Sequence, residues 1–561
     1  MDSLTPYTGV LGARLAKHLL RRATFNITKK RIEEFSKCTP AQAIEKLAHI
    51  PDKKLTQPIH SPKADSDNLA PWIDKDDLYG DVKTHNTRNV TLRSYVIGWW
   101  MDEARQDTSY RSKLTYFLHT NFTATSKTLQ QIHGAYYDYL RLLEFFSLGS
   151  WKELVYQITI NPIMLNYLNN DVNSAVKPNE NYARELLELF TIGKGPLTGE
   201  GDYTNYTELD VVQAARVLTG WRFHRYNKDP DSNRHKYTNG VKNGEIPCGY
   251  GEPSSHDFKE KKFSHRFDNY VIKAWDTSGK SDAEKKAMIE EELREFIDLI
   301  LSKEETAKFI CRKLYRYYVS AKITTEIETD IIVPLANKFR ENYNLQETIN
   351  LLFTSKHFYD LDDANSEDEI VGGLVKSPLE LILQTFSFTN YPVPHPTESS
   401  RENYPNFIEK LLGDILPNCG QNPFDPPSVA GFPPYYQAPD FDKFWFNSAT
   451  IIPRYTFTDF LLNPKKVKVD NYVATFIKNN VSEPDNPSKV VSELVDIMFP
   501  EEIDTDRLNY FLNYFLEDGE ITSNMWSVEW HNYMKRGGDG VESVLKPLFR
   551  ALIWSQEFQT N

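Results

Sequence analysis

Cysteine is scarce in this chain. Its 561 residues hold four, Cys38, Cys248, Cys311 and Cys419, scattered and without a C-x-x-C pair. That spacing carries no zinc signature, and no disulfide can be read from it. Long apolar runs are missing too: nothing approaches the ~18 consecutive apolar residues of a membrane span. The stretch from Met1 to Leu20 has no continuous apolar segment behind a charged start, so no export signal is read there. Positive charge is in deficit. The net charge is −13, and the longest basic cluster, Arg14, Lys17, His18, Arg21 and Arg22, is short. This argues against nucleic acid as the main partner. There is no G-x-S-x-G, no P-loop and no G-x-G-x-x-G. Gly193-Lys194-Gly195 follows a helical stretch instead of joining strand to helix, so it is no phosphate cradle.

What is present is helical periodicity. Strand-like alternation is rare, and no repeat of about 20–50 residues recurs. The pattern predicts a mostly all-α chain: a large multi-helix globular fold with long loops and at most a minor β-hairpin. Thr8 can cap a first helix that carries Leu11, Leu15, Leu19 and Leu20 on one face, and Pro40 opens a second. Residues 51–90 read as a long surface loop, and residues 224–280 as the least helical part, with room for the hairpin. Thr207 with Asp210, and Ser302 with Glu305, have the spacing of capping boxes. Residues 1–388 form the main helical domain. Residues 389–561 add a Pro-rich segment and C-terminal helices, expected to pack on the first part as one unit. Within that segment, 420–436 is expected to be ordered and extended over the helices, because proline fixes φ and donates no hydrogen bond. It should end near a helix bearing Trp445 and Arg454.

One stretch organises the rest. Pro178 to Gly193 reads as a helix opened by proline and closed by glycine. Tyr182, Leu186, Leu189 and Phe190 form its apolar stripe, and Asn181, Glu185 and Glu188 fall on a second stripe beside it. Glu180 and Arg184 have the spacing of an i, i+4 pair. Carboxylates beside a core face need cations, hydrogen bonds or shifted pKa values. Either this is a partly exposed flank with ordinary salt bridges, or it is a carboxylate site facing a cleft. His119, within Phe117 to Phe122, and the His256-Asp257 pair are the histidines that could join it. His119 with Glu185 and Glu188 would be a set suited to a divalent metal. Without a metal, Glu185 and Glu188 could do acid–base work, assisted by His119, His256 or Asp257.

Several motifs together carry a family resemblance. They include His18-Leu19-Leu20-Arg21-Arg22-Ala23-Thr24-Phe25, Phe117 to Phe122, Leu148 to Leu154, and Asn161-Pro162-Ile163-Met164-Leu165. To these add Asn179 to Gly193, Ala214 to Trp221, His256-Asp257 with Lys261, and Ala307 to Ile310 with Lys313-Leu314. Lys376-Ser377-Pro378-Leu379-Glu380 and Gly420 to Phe432 complete the set. From about residue 14 to its end the chain resembles family 1800 among the domains of unknown function. Phe432 stands where the family often has Trp, and Asn26 where it often has Gly. The resemblance implies an exported or envelope-associated bacterial protein and a sulfatase-like partner of the family numbered 1501. It supplies no established catalytic residues.

Two functional expectations follow. One is an enzyme, metal-dependent or not, acting on a polysaccharide or peptide through Glu185 and Glu188. The other is a non-catalytic binding or scaffold protein, in which the polar motifs lock helices together and an aromatic surface holds a partner or glycan.

Overall fold

The structure is a computed structural model that describes residues 4–49, 58, 73, 82–131, 133–224, 234–239, 242–362, 370–394, 403–462, 472–538 and 540–561. Helices dominate it. Among the described residues the β-structure is four two-stranded antiparallel pairs. The expected hairpin is one of them: Arg234–Asn239 pairs with Lys242–Pro247. Most of the loop read at 51–90 lies outside the described residues, and a helix, Val82–Gln106, takes up its end.

The first helix, Gly12–Ala23, is buried on nearly every side. Lys17, Arg21 and Arg22 are buried, while Arg14 stays part-exposed against Glu501. Lys17 Nζ donates to the Asp496 carbonyl at 2.8 Å, and Arg21 Nη2 donates to the Met498 carbonyl at 2.5 Å. Both reach the last turn of the Pro487–Met498 helix, where orphan carbonyls and the negative dipole end favour a cation. Thr8 does not cap this helix; Leu11 holds the cap position without a side-chain bond. Ser302 and Glu305 make no capping box either, because the Asp282–Ser302 helix runs through Ser302 and the next, Glu304–Tyr318, starts after Lys303. The Thr207–Asp210 box does form, opening Glu208–Val217.

One contiguous apolar core runs from Leu11 to Phe558. It crosses position 389: Phe386 packs on Phe407 at 5.8 Å and on Phe457 at 5.9 Å. Residues 420–432 are ordered and clamp the helices through Phe424, which is fully buried with φ +61. Its ring meets Trp100 at 4.6 Å and His119 at 4.9 Å, and its carbonyl accepts from Ser126 N at 3.0 Å. A short helix, Pro433–Tyr436, breaks the extended run. Trp445 closes the 3₁₀ turn Phe441–Trp445, and Arg454 sits in the separate helix Ile451–Leu462.

No helix among the described residues is long and apolar enough to cross a membrane.

Candidate functional site

The central stretch folds as predicted in its sides and differently in its axis. Asn179 Oδ1 accepts from Asn181 N at 3.0 Å and starts the helix, with Pro178 lying ahead of it. Asn181–Glu185 is α-helical, and Leu186–Phe190 widens into a single π-turn. Tyr182, Leu186 and Phe190 of the expected stripe are fully buried, but Leu189 is only half-buried, and Leu187, outside that stripe, is fully buried. Such π-bulges are costly and gather at functional sites. Gly193 ends the segment at φ +75. A Cβ there would lie 2.6 Å from the Phe309 ring, so only glycine fits.

Along the second stripe Asn181 is exposed, and Glu185 and Glu188 are half-buried. The two carboxylates differ in their partners. Glu188 accepts from the Tyr206 hydroxyl at 3.0 Å and faces Lys194 Nζ at 3.4 Å. Lys194 also lies over the Tyr203 ring, 4.4 Å from its centre. Burial and the Glu188 charge push the Tyr206 phenol well up, which keeps it a donor. Glu185 has no hydrogen bond or ion pair among the described residues. The neighbouring Arg184 does not serve it closely. Its guanidinium is held by both oxygens of Glu208, at 2.7 and 2.8 Å, and by Glu180 at 3.2 Å. Burial, then the Glu188 charge, lift the Glu185 carboxyl to about 7. Burial, Glu185 and Asp425 in turn raise the Tyr167 hydroxyl, which makes these three electrostatic neighbours. Asp425 comes from the Gly420 to Phe432 motif and pairs with Lys127 at 2.6 Å.

His119 does not join the carboxylates by a hydrogen bond. It is fully buried, and its Nδ1 lies 3.0 Å from the Tyr139 oxygen. Tyr139 spends its own proton on the Phe122 carbonyl at 2.6 Å, so the imidazole Nδ1–H is the donor in this pair. Nε2 has no hydrogen-bond partner. Burial drives the ring down to about 3, so it is neutral at ordinary pH. The same motif reaches the central helix through a different residue. Asn121 Nδ2 donates to the Phe190 carbonyl at 3.4 Å, and its Oδ1 accepts from Lys313 Nζ at 2.7 Å. Lys313 donates again to the Leu189 carbonyl at 2.6 Å. Asn121 and Lys313 thus satisfy carbonyls that the π-turn leaves open. Sequence reasoning named His119 in this motif and missed Asn121, Lys313, Tyr206 and Tyr167.

His256 and Asp257 lie in a second buried network. Asp257 pairs with Arg216 at 2.7 Å. Burial works against its charge, but the Arg216 bond and the Lys259 backbone N–H hold the carboxyl below its usual range. His256 Nδ1 donates to the Thr219 carbonyl at 2.8 Å, and Nε2 lies 3.5 Å from Glu292. Glu292 accepts from Lys261 at 2.5 Å and from the Trp275 indole at 3.0 Å. Gly220, at φ +84, lets the backbone pass: a Cβ would lie 2.9 Å from the Glu252 carbonyl and 3.0 Å from the His256 Cβ. This network ties the irregular 248–275 segment to the Glu208–Val217 and Asp282–Ser302 helices.

The structure therefore brings Glu185 and Glu188 together and leaves His119, His256 and Asp257 in networks of their own. Among the described residues, no three His, Cys, Asp or Glu side chains gather as ion ligands. His119 makes no hydrogen bond to Glu185 or Glu188: its Nδ1 is engaged with Tyr139, and its ring packs against Tyr116 and Phe424.

The family model described as protein of unknown function (DUF1800) matches residues 18–560. No curated protein and no solved structure gives a significant match.

Proposed function

The chain belongs to the DUF1800 family, and from that premise we propose that it is an acid–base enzyme acting on a polysaccharide, with Glu185 as the proton-transferring group. The observation that carries this reading is the unequal pair. Glu188 is anchored by Tyr206 and Lys194, while Glu185, one turn away, is half-buried and without a partner. A carboxyl poised near neutrality beside an oriented, charged one is the arrangement that separates acid from base in glycosidic chemistry. The Glu185 proton would go to a leaving oxygen, and Glu188 would stabilise positive charge or orient water. Tyr203 and Tyr167 offer rings nearby, suited to a sugar face. An exported bacterial enzyme working beside a sulfatase-like partner is consistent with such a substrate.

A second reading is a scaffold for that partner. It is favoured by the His256–Asp257 motif, where Asp257 is taken by Arg216 and His256 Nδ1 by the Thr219 carbonyl, inside a packed network that joins helices. The test is release of new reducing ends from neutral, uronic-acid-containing and sulfated polysaccharides by wild type and by Glu185→Gln. Release that persists at full rate in the variant removes Glu185 from the chemistry, and no release from any class leaves the scaffold.

A further inference from the structure

Five of the motif segments converge on a place that the Glu185 reading does not use. Arg22, Thr120, Lys313, Glu380 and Ala430, each from a different motif, line one cavity. It holds about 50 Å³. That is room for a few waters or one small polyatomic group, since a water needs roughly 10–15 Å³ on this measure.

The charges in this cavity are not balanced by contact. Arg22 is 1% exposed, and only its Nη2 is used, on the Ile370 carbonyl at 2.6 Å. Its Nε and Nη1 have no hydrogen-bond partner, and no carboxylate lies within ion-pair distance of it among the described residues. Arg316 lines the same cavity, with its Nε unpartnered and its guanidinium 4.7 Å above the Phe441 ring. Lys313 lines the cavity as well, but its amine is committed to Asn121 and the Leu189 carbonyl and burial lowers it to about 7, so the open donors are those of the two arginines. The two carboxylates present are already engaged. Glu380 is held by Lys113 at 2.6 Å and Ser377 N at 2.9 Å, and Asp442 by Val375 N at 2.8 Å. Buried guanidinium donors left open are costly unless something accepts from them. Their shape and charge suit a carboxylate or a sulfate. The walls are aromatic: Tyr317, Tyr435 and Trp445, with Tyr436 at the surface, 41% exposed. Tyr435 and Trp445 stand edge to face at 5.6 Å. A group too large for the cavity itself would rest on these rings at its mouth.

We propose that this cavity is a binding site for an acidic sugar, its carboxylate entering between Arg22 and Arg316 and its ring lying on the Tyr435–Tyr436 side. The assignment is independent of Glu185, so each can fail without the other.

Titration calorimetry on the full chain tests it, with sodium glucuronate, glucose and sodium sulfate as probes. The expected result is one glucuronate per chain, no binding of glucose, and glucuronate at least about tenfold weaker in Arg316→Gln. Arg22→Gln should weaken it further if that variant folds. Arg316 is only half-buried, so its variant keeps the test open if Arg22→Gln does not fold. Glucose binding as well as glucuronate, unchanged affinity in Arg316→Gln, or no glucuronate binding would each overturn the proposal. Sulfate binding as tightly as glucuronate would assign the site to a free oxyanion and overturn the sugar.

Discussion

Lys261 and Glu292 meet at 2.5 Å with neither side chain exposed to solvent. Lys261 also donates to the Asp257 carbonyl, and Glu292 to no one, accepting from Trp275 as well. Removing one partner of such a pair strands a buried charge, at a cost of about 3–5 kcal/mol. Lys261→Met should therefore lower stability in urea by about that much. Lys261→Met combined with Glu292→Gln should recover a large part of it, because the stranded charge is gone. A single variant that costs less than about 1 kcal/mol would mean that water reaches the pair.

Glu185 makes stability depend on pH in a direction opposite to most carboxylates. Its folded pKa is raised from 4.5 to about 7, so the folded chain holds a proton that the unfolded chain releases. That contribution is complete below about pH 4.5 and is lost as pH rises through about 7. Glu185→Gln removes the dependence. Relative to wild type, the variant should gain about 1–2 kcal/mol between pH 4.5 and pH 8, a figure reduced for solvent screening at this half-buried site. Urea unfolding at both pH values measures it. A constant difference would mean that Glu185 finds a cation in solution.

How far the sequence carried depends on whether a feature is local. Apolar stripes and caps are local, so the helices around Tyr182, Thr207 and Pro40 were legible. So was the i, i+4 pair of Glu180 and Arg184, though Glu208 takes the larger share of that arginine. The Ser302–Glu305 box failed because the preceding helix keeps its register past Ser302 and uses up the cap position. Burial of Lys17, Arg21 and Arg22 was not legible, because their partners are carbonyls nearly 480 and 350 residues away. The same holds for the site. The spacing of Glu185 and Glu188 put them on one stripe, but the choice of Tyr206 for Glu188, and of nothing for Glu185, is made by tertiary packing. Histidine drew attention as the reactive residue of the Phe117 to Phe122 motif, yet Asn121, two positions on, is the one that reaches the helix.

His119 gives acid sensitivity. Burial lowers its pKa from 6.5 to about 3, so the unfolded chain takes up a proton that the folded chain refuses. Its contribution to stability is present above about pH 6.5 and is lost as pH falls toward 3. Over that window wild type should lose about 2–5 kcal/mol more than His119→Gln, whose side chain does not titrate. Parallel acid-unfolding curves for the two proteins would show that the imidazole is protonated in the fold.

The last test separates an enzyme from a scaffold at the carboxylate pair itself. Glu188→Gln keeps an acceptor for Tyr206 and gives up only the part-exposed contact with Lys194, which is worth about 0–1 kcal/mol. Glu185→Gln has no partner to lose and relieves repulsion from Glu188. Neither variant should melt much below wild type at neutral pH. Any large functional loss is then a loss of chemistry. If Glu185 moves the proton, Glu185→Gln should slow polysaccharide cleavage by about 10²–10⁴-fold, the range of a removed general acid. Glu188→Gln should slow it too, and should move the pH profile, because the neighbouring charge that helps hold Glu185 near neutrality is gone. A scaffold behaves otherwise: both variants would melt like wild type and retain a sulfatase-like partner equally well, with no cleavage to lose. Equal cleavage by all three proteins would place the chemistry away from this helix.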